Sequence, residues 1–95
     1  MSTPLTARAE IVSEKASGYL QQLCKHFQHK RPVTFDPAQG RIEFTAGVCA
    51  LAASRNRLVI DLTATDPESL PMLKDVVERH LLRFAFREEL AVSWV

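Results

Sequence analysis

The chain has 95 residues, of which 46% are hydrophobic and 24% are charged, and its formal net charge is +1. A chain of this length has room for one core, which excludes a core domain plus a separate substrate domain. The nearly neutral charge argues against a general nucleic-acid binder, and the ordinary composition argues against a disordered tail. We therefore expect a single α+β domain over residues 1–95.

The same sequence gives expectations for membrane and redox environment. No uninterrupted apolar run approaches the roughly 20 residues that cross a bilayer, and the first residues have no charged stretch followed by an apolar one. The sequence therefore predicts a cytoplasmic protein that does not enter a membrane. Since nothing indicates an oxidising compartment, we interpret the two cysteines, Cys24 and Cys49, as free thiols.

The first two predicted elements are a strand and a helix. Apolar and polar residues alternate over residues 5–12, a period of two that is typical of a strand with one buried face. Ser13 is placed to cap a helix, in which apolar residues recur at three- and four-residue spacing up to Phe27. Pro32 and the cations before it predict that this helix ends near residues 29–31.

Further strands are predicted after this helix. Residues 33–44 contain a turn from Asp36 to Gly40 between apolar residues, which predicts a hairpin. Gly47 marks either a bulge or a tight turn ahead of the apolar residues 48–53. Residues 58–64 alternate so regularly that they form the clearest strand of the chain.

A second helix is predicted next, with two alternative starts. Residues 66–68 combine an N-cap, a proline and an acid, which together indicate a helix start. Because Pro71 lacks a backbone donor, the regular helix could instead begin with Ser69 as its cap. Both starts place the apolar residues between Leu73 and Phe84 on one side.

The final prediction for the fold follows from these elements. Residues 90–95 are predicted as a last strand, so the order is β-α-β-β-β-α-β, with one further strand left open. Each helix is apolar along only one stripe, so both need to bury that stripe against the same layer. We therefore expect an α+β two-layer sandwich, with two helices on one face of a mainly antiparallel sheet.

The candidate site comes from two segments, residues 24–31 and 79–89, which hold all three histidines. Each segment closes a helical pattern and places basic side chains beside the apolar stripe, at about 100° per residue. Facing flanks would then bring together one cluster of side chains: His26, His29, Lys30, His80, Arg83 and Arg87.

Three interpretations of this cluster are open. Three imidazoles could ligate a metal ion, but Cys24 lies about 200° from His26 around the helix and no metal motif is present, so we expect no metal. Alternatively, His80 packs with a backbone partner while the other two histidines are solvated. The third interpretation is an anion site, because guanidinium groups beside an apolar edge can hold a carboxylate or phosphate bidentately.

The arginines have an alternative of their own. Asp75 with Arg79, and Arg83 with Glu88 or Glu89, could form ordinary surface ion pairs. Such pairs contribute less than about 1 kcal/mol each. We prefer the anion site to this alternative, because the arginines are dense along one apolar edge.

Catalysis and nucleic-acid binding receive less support. Neither cysteine has a histidine placed by the sequence to activate it, and Glu88 and Glu89 do not form a converging carboxylate pair. Most aromatic residues fall on core positions rather than on exposed positions where bases stack. We therefore expect neither an enzyme nor a nucleic-acid-binding protein.

Several stretches carry a resemblance that covers nearly the whole chain: residues 19–30, 32–33, 40–44, 80–81 and 83–88, and Trp94. In these stretches the chain resembles a small bacterial family catalogued as domain of unknown function 2218. The family has no established activity, but some members are joined to, or encoded beside, siderophore-interacting flavin-type ferric reductases. The resemblance therefore implies a role in iron handling.

The resemblance also implies which positions form the site, since a ferric siderophore or haem presents anionic oxygens that suit cationic groups. The matching ligand-binding positions are His26, His29, Lys30, His80, Arg83, Arg87 and Glu88. The resulting hypothesis is a non-catalytic bacterial accessory domain that binds a small anionic ligand such as a ferric siderophore or haem-type iron chelate. No cofactor is assigned.

The alternative is a protein-interaction module, which would dock on a partner such as a siderophore-interacting ferric reductase or form a homodimer. The shape of the surface separates the two hypotheses. A pocket with converging polar groups favours a ligand, whereas a flat surface with exposed apolar residues favours a protein partner.

Overall fold

The computed structural model describes residues 5–95 and contains five strands and two helices. Residues 1–4 of the predicted domain lie outside the described part. In chain order the elements are β1 (Thr6–Val12), α1 (Ala16–Phe27), β2 (Val33–Phe35), β3 (Gln39–Phe44), β4 (Gly47–Ala53), β5 (Arg57–Ala64) and α2 (Leu70–Phe84).

The strands form one antiparallel sheet with the order β1-β5-β4-β3-β2. Alternate side chains are buried, as in β1, where Ala7, Ala9 and Ile11 are buried and their neighbours are exposed. Both helices cover this buried face, so one layer of helices lies on one layer of sheet. The prediction of an α+β sandwich with both helices on one face of an antiparallel sheet is confirmed.

The core lies between the helices and the sheet. Helix α1 lies mainly over β2, β3 and β4, and α2 lies over β5 and β1. Side chains such as Leu20 and Leu23 of α1, and Leu81 of α2, are completely buried against Ile42 and Leu62 of the sheet. Burying each such side chain stabilises the fold by about 1.5–3 kcal/mol.

The predicted element order is wrong only at its end. Four strands lie between the helices, so the further strand that the sequence left open is present there, where the hairpin of β2 and β3 is followed by the separate strands β4 and β5. The predicted last strand over residues 90–95 is a single bridge between Trp94 and Ala9, beside which Arg8 and Val95 exchange two backbone hydrogen bonds of 2.9 Å. Alternation predicts which side chains are buried, but it does not predict whether a partner strand lies within reach.

The two alternatives for Gly47 are resolved in favour of a tight turn. Thr45 and Ala46 connect β3 to β4, and Gly47 pairs with Phe44. A Cβ atom on Gly47 would lie 2.2 Å from the backbone oxygen of Thr63, and its φ is 156°. Only glycine permits this close approach between neighbouring strands.

The predicted start of α2 at Ser69 is confirmed, whereas the predicted start of α1 at Ser13 is wrong. Helix α2 begins after Ser69 with Pro71 in its first turn, as in the second of the two predicted starts. Asp66 Oδ1 instead accepts a hydrogen bond of 2.8 Å from the backbone N–H of Ser69, which closes the preceding turn. Helix α1 begins at Ala16, so the prediction that Ser13 caps it is wrong. No helix within residues 5–95 is both long enough and apolar enough to span a membrane.

Candidate functional site

The two helices run antiparallel and bring the C-terminal end of α1 against α2. At this contact the ring centroids of His26 and His80 are 4.8 Å apart, with an angle of 45° between the ring planes. The ring of Phe84 lies 5.7 Å from His26 on the same side. The two helix flanks that carry the predicted cluster therefore face each other at these two histidines.

Phe27 is the aromatic residue that fixes this contact. Its ring centroid lies 5.0 Å from that of His26 and 4.9 Å from that of His80. On its other side it meets the ring of Phe44 edge-on at 5.0 Å. Because three neighbours surround Phe27, the imidazoles sit on a packed base instead of on flexible surface side chains.

His80 has a backbone partner within its own helix. Its Nδ1 atom lies 2.7 Å from the carbonyl oxygen of Val76, one turn earlier in α2. A hydrogen bond at this distance requires a proton on Nδ1, because a carbonyl oxygen only accepts. In the neutral ring, Nε2 is then left as the free acceptor or ligating atom.

The remaining cations surround the two imidazoles. His29 and Lys30 lie in the turn after α1, and Arg83 lies in the last turn of α2. Partial burial, followed by the positive fields of these groups and of His80, lowers the pKa of His26 below its ordinary value of 6.5. We define the basic surface by these five residues: His26, His29, Lys30, His80 and Arg83.

In the described part of the chain, no carboxylate forms an ion pair with the basic surface. Three ion pairs form within residues 5–95: Arg8 with Asp61, Arg57 with Glu10, and Arg79 with Asp75. The last pair is the predicted surface pair of α2, whereas the predicted pairs of Arg83 with Glu88 or Glu89 are not formed there. The positive charge of the basic surface is therefore available to an anion from solution.

Two predicted site residues lie apart from the basic surface. Helix α2 ends at Phe84, so the predicted row of arginines stops at Arg83 and does not continue to Arg87. The guanidinium of Arg87 lies 5.3 Å above the ring of Phe86 instead. Glu88 lies near Tyr19, two turns and about 10 Å along α1 from His26 at about 1.5 Å per residue.

Glu88 has a structural environment of its own. Both of its carboxylate oxygens lie 3.1 Å from the hydroxyl of Ser13, and one accepts a hydrogen bond from the hydroxyl of Tyr19. The bond from Tyr19, followed by the bond from Ser13, holds the pKa of Glu88 below its ordinary value. Burial and the negative charge of Glu88 raise the pKa of Tyr19 to about 12. These bonds tie the chain after α2 to the start of α1.

The structure also shows where the side chains lie that could bind a metal ion or act as nucleophiles. In the described part of the chain, no three His, Cys, Asp or Glu side chains are grouped so that they could hold one metal ion. Cys24 and Cys49 are free and fully buried. Burial raises the pKa of Cys24 to about 11 and also raises the pKa of Cys49. Neither thiol is therefore an activated nucleophile at neutral pH.

The basic surface is shallow, but a larger cavity adjoins it. The cleft between Arg79, His80 and Arg83 has a volume of only about 90 Å³. A cavity of about 520 Å³ lies on the other side of Phe27, between the end of α1, the β3–β4 turn, the β5–α2 connection and the first half of α2. Sequence reasoning missed this cavity because it assigned its aromatic walls to the core. The sequence contains one signal of the cavity, because Met72 is apolar but lies off the core stripe of α2. In the structure this side chain is 54% exposed.

Comparison with known proteins gives a fold relative and a family. The NMR structure of PA4090 from Pseudomonas aeruginosa is similar to this chain, with a TM-score of 0.80 and 33% identity over 97% of this chain and 96% of that one. No curated protein matches the sequence. The model of one bacterial family matches residues 8–95. The chain therefore belongs to the family described as uncharacterized protein conserved in bacteria (DUF2218), as its sequence resemblance predicted.

Proposed function

We propose that this chain is a non-catalytic bacterial accessory domain that binds a small anionic ligand at its basic surface. The observation that carries the proposal is the meeting of cationic and imidazole groups from both helices, with no carboxylate among residues 5–95 paired to them. Positively charged groups that lie close together repel one another. An anion between them reduces that repulsion and also forms new hydrogen bonds.

The types of donor restrict the ligand. Arg83 offers a planar fork that suits a carboxylate, catecholate or phosphate, and Lys30 adds a point charge beside it. His26 can donate an N–H to the same ligand, whereas His80, whose Nδ1 is bonded to the Val76 carbonyl, can donate from Nε2 only when its ring is protonated. Ferric siderophores and haem are anions of this kind. The family resemblance makes them the first ligands to test.

The test is a titration of the purified domain with a ferric siderophore, haem and ferric citrate, each beside its metal-free form. Ligand absorbance and melting temperature are the readouts, because a ligand that binds the folded state raises the melting temperature. Trp94 fluorescence is a poor reporter here. Trp94 donates a 2.9 Å hydrogen bond to Glu78, which lies about 200° from His80 around α2.

Variants make this titration specific. We expect Arg83→Ala and Lys30→Ala each to raise the Kd by about tenfold, equivalent to about 1.4 kcal/mol of lost binding energy. Lys25→Ala is the control for α1, and Arg41→Ala, on the sheet face away from the helices, is the control for arginine. Saturable binding that is weakened only by the first pair would support the proposal. Failure of all these anions to bind would contradict it.

A second candidate function is a protein-interaction module, favoured by the shallowness of the basic surface. The cleft of about 90 Å³ is smaller than the roughly 300 Å³ at which small-molecule pockets begin. Leu82, which precedes Arg83, and Phe86, which lies three residues after it, are 39% and 76% exposed. An acidic protein surface with a central apolar patch would match this arrangement.

Sedimentation velocity tests this second candidate, on the domain alone and mixed with a siderophore-interacting ferric reductase. A complex or a homodimer that is weakened by both Phe86→Ser and Arg83→Ala would favour it. A domain that stays monomeric in both samples would count against it.

A further inference from the structure

We infer that the cavity beside the basic surface binds the apolar part of a ligand whose anionic group lies at Lys30. The inference rests on the proposed function and deepens it, because it adds an apolar subsite beside the basic surface and so names amphipathic monoanions as a ligand class. The class is a carboxylate with an aliphatic or aromatic body. The proposed function alone would equally accept a hydrophilic anion.

First, the cavity has the size of a small-molecule pocket and largely apolar walls. Its volume is about 520 Å³, within the range of roughly 300–1,000 Å³ that is typical of small-molecule pockets. At about 30 Å³ for each water-sized group, it has room for about 17 non-hydrogen atoms of a ligand. The apolar walls are formed by Phe27, Phe44, Ala46, Met72, Leu73 and Val76.

The second step is the charge at its margin. Lys30 and Arg31 lie at the α1 end of the cavity, and neither pairs with a carboxylate within residues 5–95. Arg31 is held in place because its Nη1 donates a 2.8 Å hydrogen bond to the hydroxyl of Thr45. Lys30 has no such hydrogen-bond partner among the described side chains and belongs to both the cavity and the basic surface.

The third step is the carboxylate of Asp66, which also lines the cavity. It accepts hydrogen bonds from the Ser69 backbone at 2.8 Å and from the Thr65 hydroxyl at 3.4 Å. Hydrogen bonds from Ser69, first from its side chain and then from its backbone, lower the pKa of Asp66, so the carboxylate is ionised at neutral pH. Because Asp66 repels a second anionic group, a ligand with one anionic group and an apolar body fits this cavity best.

The fourth step is the connection between cavity and basic surface. The ring of Phe27 forms a wall of the cavity and also lies 4.9 Å from His80. Val76 lines the cavity, and its carbonyl oxygen is the partner of His80 Nδ1. Lys30 is the residue common to the cavity and the basic surface, so a ligand whose apolar body fills the cavity can place its anionic group at Lys30.

The experiment is isothermal titration of the full chain with decanoate, with decanol as the uncharged analogue and acetate as the analogue without an apolar body. We expect decanoate to bind saturably and each analogue to bind at least about tenfold more weakly. Ala46→Leu fills the cavity, and Met72→Ser makes its exposed margin polar without touching the core. Each should raise the Kd for decanoate by about tenfold, and so should Lys30→Ala. Lys25→Ala is the matched control and should leave the Kd unchanged.

The outcomes separate this inference from the proposed function. If decanoate does not bind, or if decanol binds equally tightly, the inference is overturned. If ferric citrate binds, and Arg83→Ala weakens that binding while Ala46→Leu does not, the proposed function stands whatever the result with decanoate. Failure of decanoate and of every chelate would overturn both.

Discussion

At the residue scale, the hydrogen bonds around Glu88 lead to a prediction about stability. Tyr19 is 4% exposed and donates to the Glu88 carboxylate, so Tyr19→Phe removes a hydrogen bond to a charged group. We expect the free energy of unfolding in urea to fall by about 1–2 kcal/mol. Ser17→Ala, two residues earlier at an exposed hydrogen bond to the backbone of Pro37, is the control and should change stability less.

The pH dependence of the same pair has a definite sign. The folded-state pKa of Glu88 lies below its ordinary value of 4.5, so its contribution is present above pH 4.5 and is lost as the pH falls through the folded-state value. The pKa of Tyr19 is raised from 10.0 to about 12, so its contribution is present below pH 10 and is lost towards pH 12. The stability difference between the wild type and Tyr19→Phe should therefore shrink at both extremes. A difference that is constant across the whole range would contradict this account.

His26 provides a second prediction at this scale, measured as an NMR titration of its ring protons. Its midpoint should lie below 6.5, and Arg83→Ala should move it upward because one repelling cation is removed. Since the folded-state pKa is lowered, the free energy of unfolding should decrease as the pH falls through 6.5. Arg41→Ala should leave the midpoint in place, and an equal shift in that variant would show that the effect of Arg83 is not local.

At the element scale, the packing of α1 on β3 depends on one glycine. A Cβ atom on Gly40 would lie 2.7 Å from the Sγ atom of Cys24 and 3.3 Å from Leu20. Cys24 is fully buried and cannot move aside, so Gly40→Ala should lower the free energy of unfolding by about 1–3 kcal/mol.

A double-mutant cycle checks the cause of that loss. Cys24→Ala removes the blocking sulfur, so in the Gly40→Ala background it should restore part of the stability, although alone it destabilises. Gly18→Ala is the matched control, because a Cβ atom there has nothing within 4 Å. It should stabilise α1 by about 0.5–1 kcal/mol. Strictly additive effects of Gly40→Ala and Cys24→Ala would argue against the proposed clash.

The elements also show where sequence reasoning succeeds. The strand β5 was predictable because its side chains alternate between a buried and an exposed face, a local pattern that the sheet keeps. Residues 90–95 show the same alternation but make only one bridge, between Trp94 and Ala9. Pairing there depends on the edge of β1, which is distant in the sequence. The turn at Gly47 needs glycine because of the Thr63 oxygen on another strand. A local sequence pattern therefore does not predict contacts between segments that are remote in the sequence.

At the scale of the whole molecule, the same distinction holds for the site. Helical periodicity placed His26 and His80 on the flanks that meet, because each position depends on one regular helix. It extended the arginine row to Arg87, which is wrong, because α2 ends at Phe84 where Ala85 becomes buried. Glu88 entered the candidate site from the family resemblance, and its carboxylate lies at Ser13 and Tyr19. The cavity was beyond prediction, since it is bounded by four segments that only the complete fold brings together.

The last prediction concerns coupling between anion binding and protonation. At neutral pH the lowered pKa of His26 leaves its ring largely neutral, held there by partial burial and by His80, Arg83, Lys30 and His29. A bound anion offsets those positive fields, so it raises the pKa of His26 and proton uptake accompanies binding. Affinity should therefore increase as the pH is lowered.

The measurement is the Kd of an anion whose own charge is constant in this range, such as an aryl sulfonate, between about pH 7.5 and pH 5.5. Uptake of one proton decreases the Kd by up to about tenfold per pH unit. His26→Gln keeps a polar side chain of similar size but does not titrate, so it should reduce the slope by about one proton. If the wild type and His26→Gln show the same slope, His26 does not face the bound anion. The ligand then lies elsewhere on the molecule, and the meeting of the two helix flanks serves packing alone.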